Sequence, residues 1–281
     1  CLTMCRSRSG ESGDSNLITC NHDTLRTAQR LTERERKLAY ATLLMLPSAP
    51  FIYYGDELGM RYRPLPSKGG GYTRPGSRSG IDKQPVAGPL HIGPLGLTGD
   101  EQGDLRVHGG HDKAVHLYAW EHYAQWQREL GDLPLLQAPG GFGENLALTG
   151  LDEAGVCLGD HWRAGSAVLE VTQGRQPCWK LNLRFGVPDM SARVQNTMRA
   201  GWYCRTLQDG VVQAGDALEL LERPHPGWTV QRLLALIRDR ECNPAVLNDV
   251  LALPLPPSWH KLFTRRRDQG QAEDWSARLR G

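Results

Sequence analysis

The sequence lacks the marks of several protein classes. It has seven cysteines, an odd number, and no Cys-x-x-Cys pair. Neither a disulfide framework nor a tetrahedral zinc site is signalled, which points to a reducing compartment and a cytoplasmic location. No apolar run approaches the ~18–20 residues that span a bilayer. The first ten residues, CLTMCRSRSG, have no apolar core of a signal peptide. The chain opens on Cys rather than Met, so residue 1 reads as a truncation point. It also lacks an excess of charge of one sign: 33 Lys and Arg face 31 Asp and Glu, for a net charge of +2. A dedicated nucleic-acid binder is usually strongly basic, so that class is disfavoured. No flavin or iron–sulfur motif occurs, and there is no internal repeat.

What is present is globular. The chain has 281 residues, 40% hydrophobic and 23% charged, enough for one large or two ordinary domains with a real core. With 32 Gly and 18 Pro, loops and short strands outweigh long helices. The charge is uneven. Residues 1–79 hold 12 basic against 7 acidic residues, and residues 80–281 hold 21 against 24. Between 61 and 90, 11 of 30 residues are Gly or Pro, which reads as a long loop or linker where two different segments meet.

Before that linker, Leu17–Cys20 reads as a strand and Leu31–Met45 as a helix. Thr32 caps the helix, Glu35 completes a capping box, and Pro47 ends it. Phe51–Tyr54 is a buried strand pattern, so the order is β-α-β. After the linker, short strand-like runs at Pro89–Ile92, Val115–Tyr118, Val168–Thr172 and Ala217–Leu221 alternate with turn signals. Helical pieces fall at Glu121–Leu130 and Asp189–Met198. This spacing predicts a mostly β barrel with helical insertions. From Thr229 the pattern turns helical: Val230, Leu233, Leu234 and Ile237 recur at helical spacing, then Val246, Val250, Leu251 and Leu253. Pro254–Pro257 breaks the pattern and Ser258–Arg267 resumes it.

Residues 16–79 carry Asn21-His22-Asp23 after a strand, then Leu46-Pro47…Pro50-Phe51-Ile52-Tyr53-Tyr54-Gly55-Asp56-Glu57-Leu58-Gly59-Met60 and Leu65-Pro66-Ser67-Lys68…Gly76-Ser77-Arg78. In these motifs the segment resembles the end of the α-amylase glycoside hydrolase barrel. The resemblance implies that Asp23 matches a transition-state-stabilising acid, and that Asn21 and His22 belong to the sugar site. Activity is not expected. Glycoside cleavage needs two flanking carboxylates, which the family takes from strands upstream of this match. A complete barrel of this kind takes ~250 residues. The segment reads as an inert, incomplete α/β remnant derived from a TIM barrel, and Asp56 and Glu57 as loop acids.

The remaining residues carry a longer series of motifs. Gly80-Ile81-Asp82-Lys83-Gln84-Pro85-Val86, Gly96-Leu97-Thr98-Gly99-Asp100-Glu101-Gln102, Val107-His108-Gly109-Gly110-His111-Asp112-Lys113-Ala114-Val115 and Phe142-Gly143-Glu144-Asn145-Leu146 come first. Gly159-Asp160, Gln173-Gly174-Arg175-Gln176-Pro177-Cys178-Trp179-Lys180-Leu181, Gly201-Trp202-Tyr203, Gly215-Asp216, Ser258-Trp259 and Glu273-Asp274-Trp275 follow. Over residues 80–281 the chain resembles MOSC domain proteins, named for the C-terminal domain of molybdenum cofactor sulfurase, in the bacterial subgroup with a trailing three-helix segment. The expected architecture is mostly β with helices, a MOSC-type β-barrel plus a small C-terminal helical segment. The expected division is 1–79 for the remnant and linker, 80–224 for the barrel and 225–281 for the three helices. The subgroup has a first barrel strand ahead of Gly80-Ile81-Asp82-Lys83. Here that stretch is amylase-like, so the barrel either lacks a strand or borrows one from 61–79. The N-terminus is chimeric in character.

The resemblance implies a molybdenum cofactor, a pterin-bound metal, with Cys178 as the metal ligand. It also implies two-electron reduction of N-hydroxylated compounds such as hydroxylaminopurine to amines, a detoxifying reaction. At family level it carries an association with pyridoxal phosphate. Read on its own residues, Cys178 is a sensible ligand. Soft thiolate suits a soft metal. Arg175 and Lys180 supply nearby positive charge that favours thiolate, and Gly174 and Pro177 bracket a stiff loop. Lys83, His108, Lys113, Arg175, Lys180 and Asn182 are candidates to hold the phosphate and pterin, with Gly109 and Gly110 allowing close backbone approach. His108 faces either the ligand or the fold, Asn145 either the pterin or the backbone, and Glu101 and Asp112 read as ion-pair partners of the basic residues. The other six cysteines read as small apolar residues. The Trp residues read as core or rim, with Trp179 a candidate pocket wall, and Arg265-Arg266-Arg267 as a solvated helix face beside acids. The expected partners are a small N-hydroxylated substrate and a separate electron-donor protein, with no nucleic acid and no membrane. A homodimer is compatible with the resemblance. The competing readings are a non-catalytic carrier of cofactor or sulfur, and a residual glycoside hydrolase.

Overall fold

The computed structural model describes residues 2–7, 17–18, 50–51, 81–100 and 109–281. The chain divides into two compact units, Gly10–Arg78 and a larger one that joins Cys1–Ser9 to Ser79–Gly281. The first nine residues therefore go with the larger unit.

Its first strand is β1, Leu2–Ser7. In the other unit, β2 (Leu17–Ile18) and β3 (Pro50–Phe51) pair in parallel, as two strands of a β-α-β unit do. The helix expected at Leu31–Met45 lies outside the described residues, as do Asn21, His22 and Asp23.

The larger unit continues with β4 (Lys83–Pro85), β5 (Leu90–Gly93), β6 (Gly96–Leu97), β7 (Val115–Ala119), β8 (Leu146–Leu148), β9 (His161–Ala164), β10 (Ala167–Gly174), β11 (Trp202–Gln208), β12 (Gly210–Val212) and β13 (Leu218–Glu222). A curled mixed sheet runs in the order β13-β9-β10-β11-β7-β8-β1-β4, and β12-β5-β6 forms a second sheet. The parallel β7–β8 pair is spanned by helix α1, Glu121–Leu130. The other named pairs of these two sheets are antiparallel. The architecture is thus mostly β and barrel-like, with helices behind it.

One expectation is corrected at the sheet edge. The linker expected over 61–90 contains β4, and Pro85 is tolerated there because β4 is an edge strand, whose outer side needs no ladder donor. A strand beside β4 comes from Leu2–Ser7, which pairs Leu2 with Leu148 on one side and Ser7 with Lys83 on the other. Residues 61–79 lie outside the described residues.

The β9–β10 hairpin turns on Gly165 and Ser166. Gly165 sits at φ 57°, and a Cβ there would lie 2.2 Å from the Val211 carbonyl oxygen. Only glycine meets both the turn geometry and that approach. The core lies between the sheet and the helices. Tyr118 of β7 stacks on Phe142 at 4.5 Å, Phe142 meets Phe185 at 4.8 Å, and Trp126 and Trp202 are fully buried beside them.

Behind the sheet come α2 (Lys180–Phe185), α3 (Met190–Thr197), α4 (Val230–Arg238), α5 (Pro244–Leu251), α6 (Pro257–Gln269) and α7 (Ser276–Arg280). Thr229 caps α4 by accepting the Arg232 N–H, and Val230, Leu233, Leu234 and Ile237 form its buried face as their spacing predicts. Asn243 caps α5, with Pro244 at its first position. No helix of the described residues is long and apolar enough to cross a membrane.

The Arg265-Arg266-Arg267 run is not a uniform solvated face. Arg266 is 0% exposed. Its guanidinium donates to both carboxylate oxygens of Glu273 at 2.9 Å and to the carbonyls of Leu236 and Ile237. A helix turns each residue by about 100°, so the middle arginine can face inward while its neighbours face out. Burial alone would raise the Glu273 pKa. The hydrogen bonds from Arg266 and Trp275 and the Arg266 charge outweigh it and hold the carboxyl at about 2. The folded pKa lies below the ordinary value, so the pair stabilises fully above pH ~4.5 and loses that contribution as pH falls toward ~2. We expect urea midpoints of the wild type to fall across that window, and Glu273→Gln to flatten the fall. We also expect Glu273→Ala to cost about 3 kcal/mol at pH 7, because it leaves a buried arginine unpaired. An unchanged midpoint at pH 7 contradicts this role.

Candidate functional site

The loop that carries Cys178 leaves the end of β10 and enters α2. Its start is fixed by Gly201, whose carbonyl accepts the Arg175 N–H at 2.9 Å and whose own N–H donates to Glu153 at 2.6 Å. Gly201 sits at φ 73°, and a Cβ there would be 2.3 Å from the Leu117 carbonyl oxygen. Glycine alone fits, and β11 can therefore begin beside the loop. Arg175 is buried, and its Nη1 has no partner among the described residues. Cys178 is a free, half-buried thiol.

Two further groups tie this loop to the sheet. His116 of β7 is buried, lies 3.3 Å from the Ala200 carbonyl through Nε2, and packs on Tyr203 at 4.9 Å. Burial first, then the charge of Arg175 and more weakly that of Lys83, push the His116 pKa well down, against bonds to Gly143 and Ala200. His116 is therefore neutral. Burial pushes the Tyr203 hydroxyl up, with Arg175 opposing and Cys178 adding to the shift. Lys83, Arg175 and Cys178 thus lie within electrostatic reach of one histidine–tyrosine pair.

Lys83 is held from the other side. Its Nζ lies 2.5 Å from Asp100, and both are buried. Asp100 also accepts from Asn145 Nδ2 at 2.8 Å, while Asn145 Oδ1 accepts the His116 N–H at 2.9 Å. Asn145 thus bonds the backbone of β7 and orients Asp100. Glu144 shapes the loop that presents Asn145, accepting from the Gly140 and Phe142 N–H groups and from Tyr123 Oη. Arg184 of α2 donates to the Gly140 and Gly141 carbonyls and to Asp82, joining this loop to the Cys178 side.

The other sequence candidates are placed as follows. Gly109 and Gly110 take φ 77° and 83°, the left-handed backbone expected of them. Lys113 follows on a short 3-10 turn, and burial lowers its pKa against the opposing charge of Asp112. Asp112 pairs with Arg205 at 2.9 Å. Lys180 is half-buried and opens α2. Asn182 is engaged with the C-terminal segment and α3: its amide donates to the Leu279 carbonyl and accepts the Ser191 N–H. His108 and Glu101 lie outside the described residues. Cys157 and Cys204 are buried, and burial raises both thiols.

Sequence reasoning named Asp100 and Tyr203 only inside longer motifs and did not single out Asp100, His116, Tyr203 or Arg278. For His116 the signal was present: a histidine inside a run of apolar strand residues is buried and needs a partner. Among the described residues, no three His, Cys, Asp or Glu side chains gather as metal ligands.

The residues present fit a molybdenum-pterin group. A soft thiol stands free in a loop. Beside it is a buried guanidinium with an unpaired donor, which calls for an anionic or strongly accepting partner.

Residues 104–219 match the MOSC domain, residues 228–270 the YiiM-like 3-alpha helix domain, and residues 3–82 the alpha amylase catalytic domain. Protein YiiM of Escherichia coli is 40% identical over 207 residues, which cover 73% of this chain and 92% of that protein. A protein named Reductase from Gibberella moniliformis is 40% identical over 178 residues, covering 63% of this chain and 32% of that one. The crystal structure of YiiM from Escherichia coli matches with a TM-score of 0.64 at 36% identity, over 70% of this chain and 94% of that one. With nearly the whole of YiiM covered at that identity and a shared fold, the chain belongs to the MOSC domain family, in its YiiM-like group with a three-helix domain behind the MOSC domain.

Proposed function

We propose that the protein is a molybdenum-cofactor-dependent oxidoreductase that reduces N-hydroxylated compounds, such as hydroxylaminopurine, to the corresponding amines. The observation that carries this reading is that one short loop holds both a free Cys178 thiol and the buried Arg175, whose Nη1 has no partner among the described residues. Membership of the MOSC family and the reductase-named relative support it.

When bound, the cofactor supplies two-electron redox chemistry at molybdenum. The chain's own residues do the rest. Cys178 is the protein ligand, because soft thiolate suits that metal. Arg175 donates to the cofactor's anionic side, and its fixed fork of donors suits phosphate or a pterin carbonyl. Lys83, Lys113 and Lys180 add positive charge. Asp100 holds Lys83 in place, and Asn145 orients Asp100. His116, its pKa pushed well down by burial and by the charges of Arg175 and Lys83, adds no third charge to the site.

The overall reaction consumes two electrons and two protons and releases water as the N–O bond breaks. The electrons come from a separate donor protein, in a reducing, cytoplasmic setting. A carrier that holds the cofactor without turnover is the competing reading.

The test is dithionite-driven reduction of hydroxylaminopurine by cofactor-loaded protein, followed by product analysis. We expect turnover by the wild type and loss of at least about 100-fold in Cys178→Ser, the scale seen when a group acting directly on the reaction is removed. Loaded wild-type protein that yields no amine overturns the reductase reading in favour of the carrier.

A further inference from the structure

The peptide groups on either side of Cys178 are both held by one residue from the far end of the chain. The Pro177 carbonyl accepts from Arg278 Nη1 at 2.6 Å. The Trp179 N–H donates to the Arg278 carbonyl at 2.8 Å. Arg278 is itself aimed: its Nη2 donates to Gln195 Oε1 at 2.5 Å, and its guanidinium lies 5.9 Å from the Trp275 ring. The next residue is docked as well. The Leu279 carbonyl accepts from Asn182 Nδ2 and from Ser191 Oγ, each at 2.8 Å. Gly281 then meets the face of Trp179, where a Cβ would stand 3.4 Å from the indole Cγ. Upstream, Trp275 Nε1 donates to Glu273, which pairs with the buried Arg266 of α6. A continuous set of contacts therefore runs from the helical domain through α7 to the Cys178 loop.

We propose that α7 is a clasp on the Cys178 loop and that Arg278 is a positioning residue, which fixes Cys178 by holding the backbone on both sides of it. This rests on the reading of Cys178 as the metal ligand. The residues that form the clasp, 271–281, lie beyond the spans matched to the MOSC and 3-alpha helix domains. The physical need is plain. A loop between a strand end and a short helix has main-chain groups that neither element satisfies. A planar guanidinium can meet one such carbonyl and a second acceptor at once. A thiol whose neighbouring peptides are pinned keeps its sulfur in one place, as a preorganised ligand requires.

The test is alkylation of Cys178 by iodoacetamide, mapped peptide by peptide. It uses the full chain expressed in cells that make no molybdenum cofactor, with Cys242 as an internal reference. In Arg278→Met we expect Cys178 to label about tenfold faster, the effect of one or two lost hydrogen bonds on a local opening equilibrium, with Cys242 unchanged. Loss of a nearby positive charge by itself slows labelling, because thiolate is the reactive form, so acceleration reports movement of the loop. Arg278→Lys, which keeps a cationic side-chain donor for the Pro177 carbonyl, should restore most of the slow rate; both variants keep the main-chain carbonyl that Trp179 uses. Asn182→Ala with Ser191→Ala leaves Arg278 intact, frees Leu279, and should also accelerate Cys178; it serves if Arg278→Met does not fold. A Cys178 rate that is unchanged or slower, or one that rises only in step with Cys242, overturns the clasp. None of these readings needs bound metal, so the clasp and the ligand assignment can fail separately.

Discussion

The loop from Arg175 to Trp179 cannot satisfy its own peptide groups. β10 has ended and α2 has not begun, so partners must come from elsewhere. Arg175 finds one in Gly201 at the start of β11, and Pro177 and Trp179 find theirs in Arg278, about a hundred residues on. This need links parts of the chain that look independent. It gives Gly201 its conformation, it gives Asn182 and Ser191 the work of docking Leu279, and it sets the helical domain behind the sheet as the anchor of α7. Arg266 is a fully buried part of that anchor. Once buried, it must keep Glu273, and Glu273 in turn holds Trp275.

The second constraint is charge. Lys83 and Arg175 are both buried, and neither is stable there without compensation. Asp100 compensates Lys83. Arg175 keeps a donor with no partner among the described residues. His116 is within electrostatic reach of both, and burial together with those two cations pushes its pKa well down. The anionic group of the proposed cofactor would satisfy that donor.

Much of the larger unit was legible. Glu121–Leu130 forms the helix its pattern predicts, and α4 buries the four residues its spacing picks out, because amphipathic periodicity is a local signal. Short strands such as β6, β9 and β12 were missed, being two to four residues long with little alternation to read. β4 was hidden by its Gly- and Pro-rich surroundings, and β1 by an amylase-like context. At the site, Cys178 and Arg175 stood out through their motif. Asp100 did not, since an aspartate in a Gly-rich turn looks like any other until Lys83 is found against it. Asn182 was read toward the cofactor because it follows the Cys178 motif, whereas its amide meets Leu279. Arg278 had no signal at all: α7 has five residues and no apolar stripe, and its role exists only through contacts across the whole length of the chain.

The account turns on one claim, that Cys178 holds the molybdenum of a pterin cofactor beside Arg175. The most direct measurement is molybdenum per chain, by elemental analysis, in wild type and Cys178→Ser purified side by side from cells that make the cofactor. The account predicts molybdenum approaching one per chain in the wild type and little in the variant. Equal molybdenum in the two proteins would contradict it.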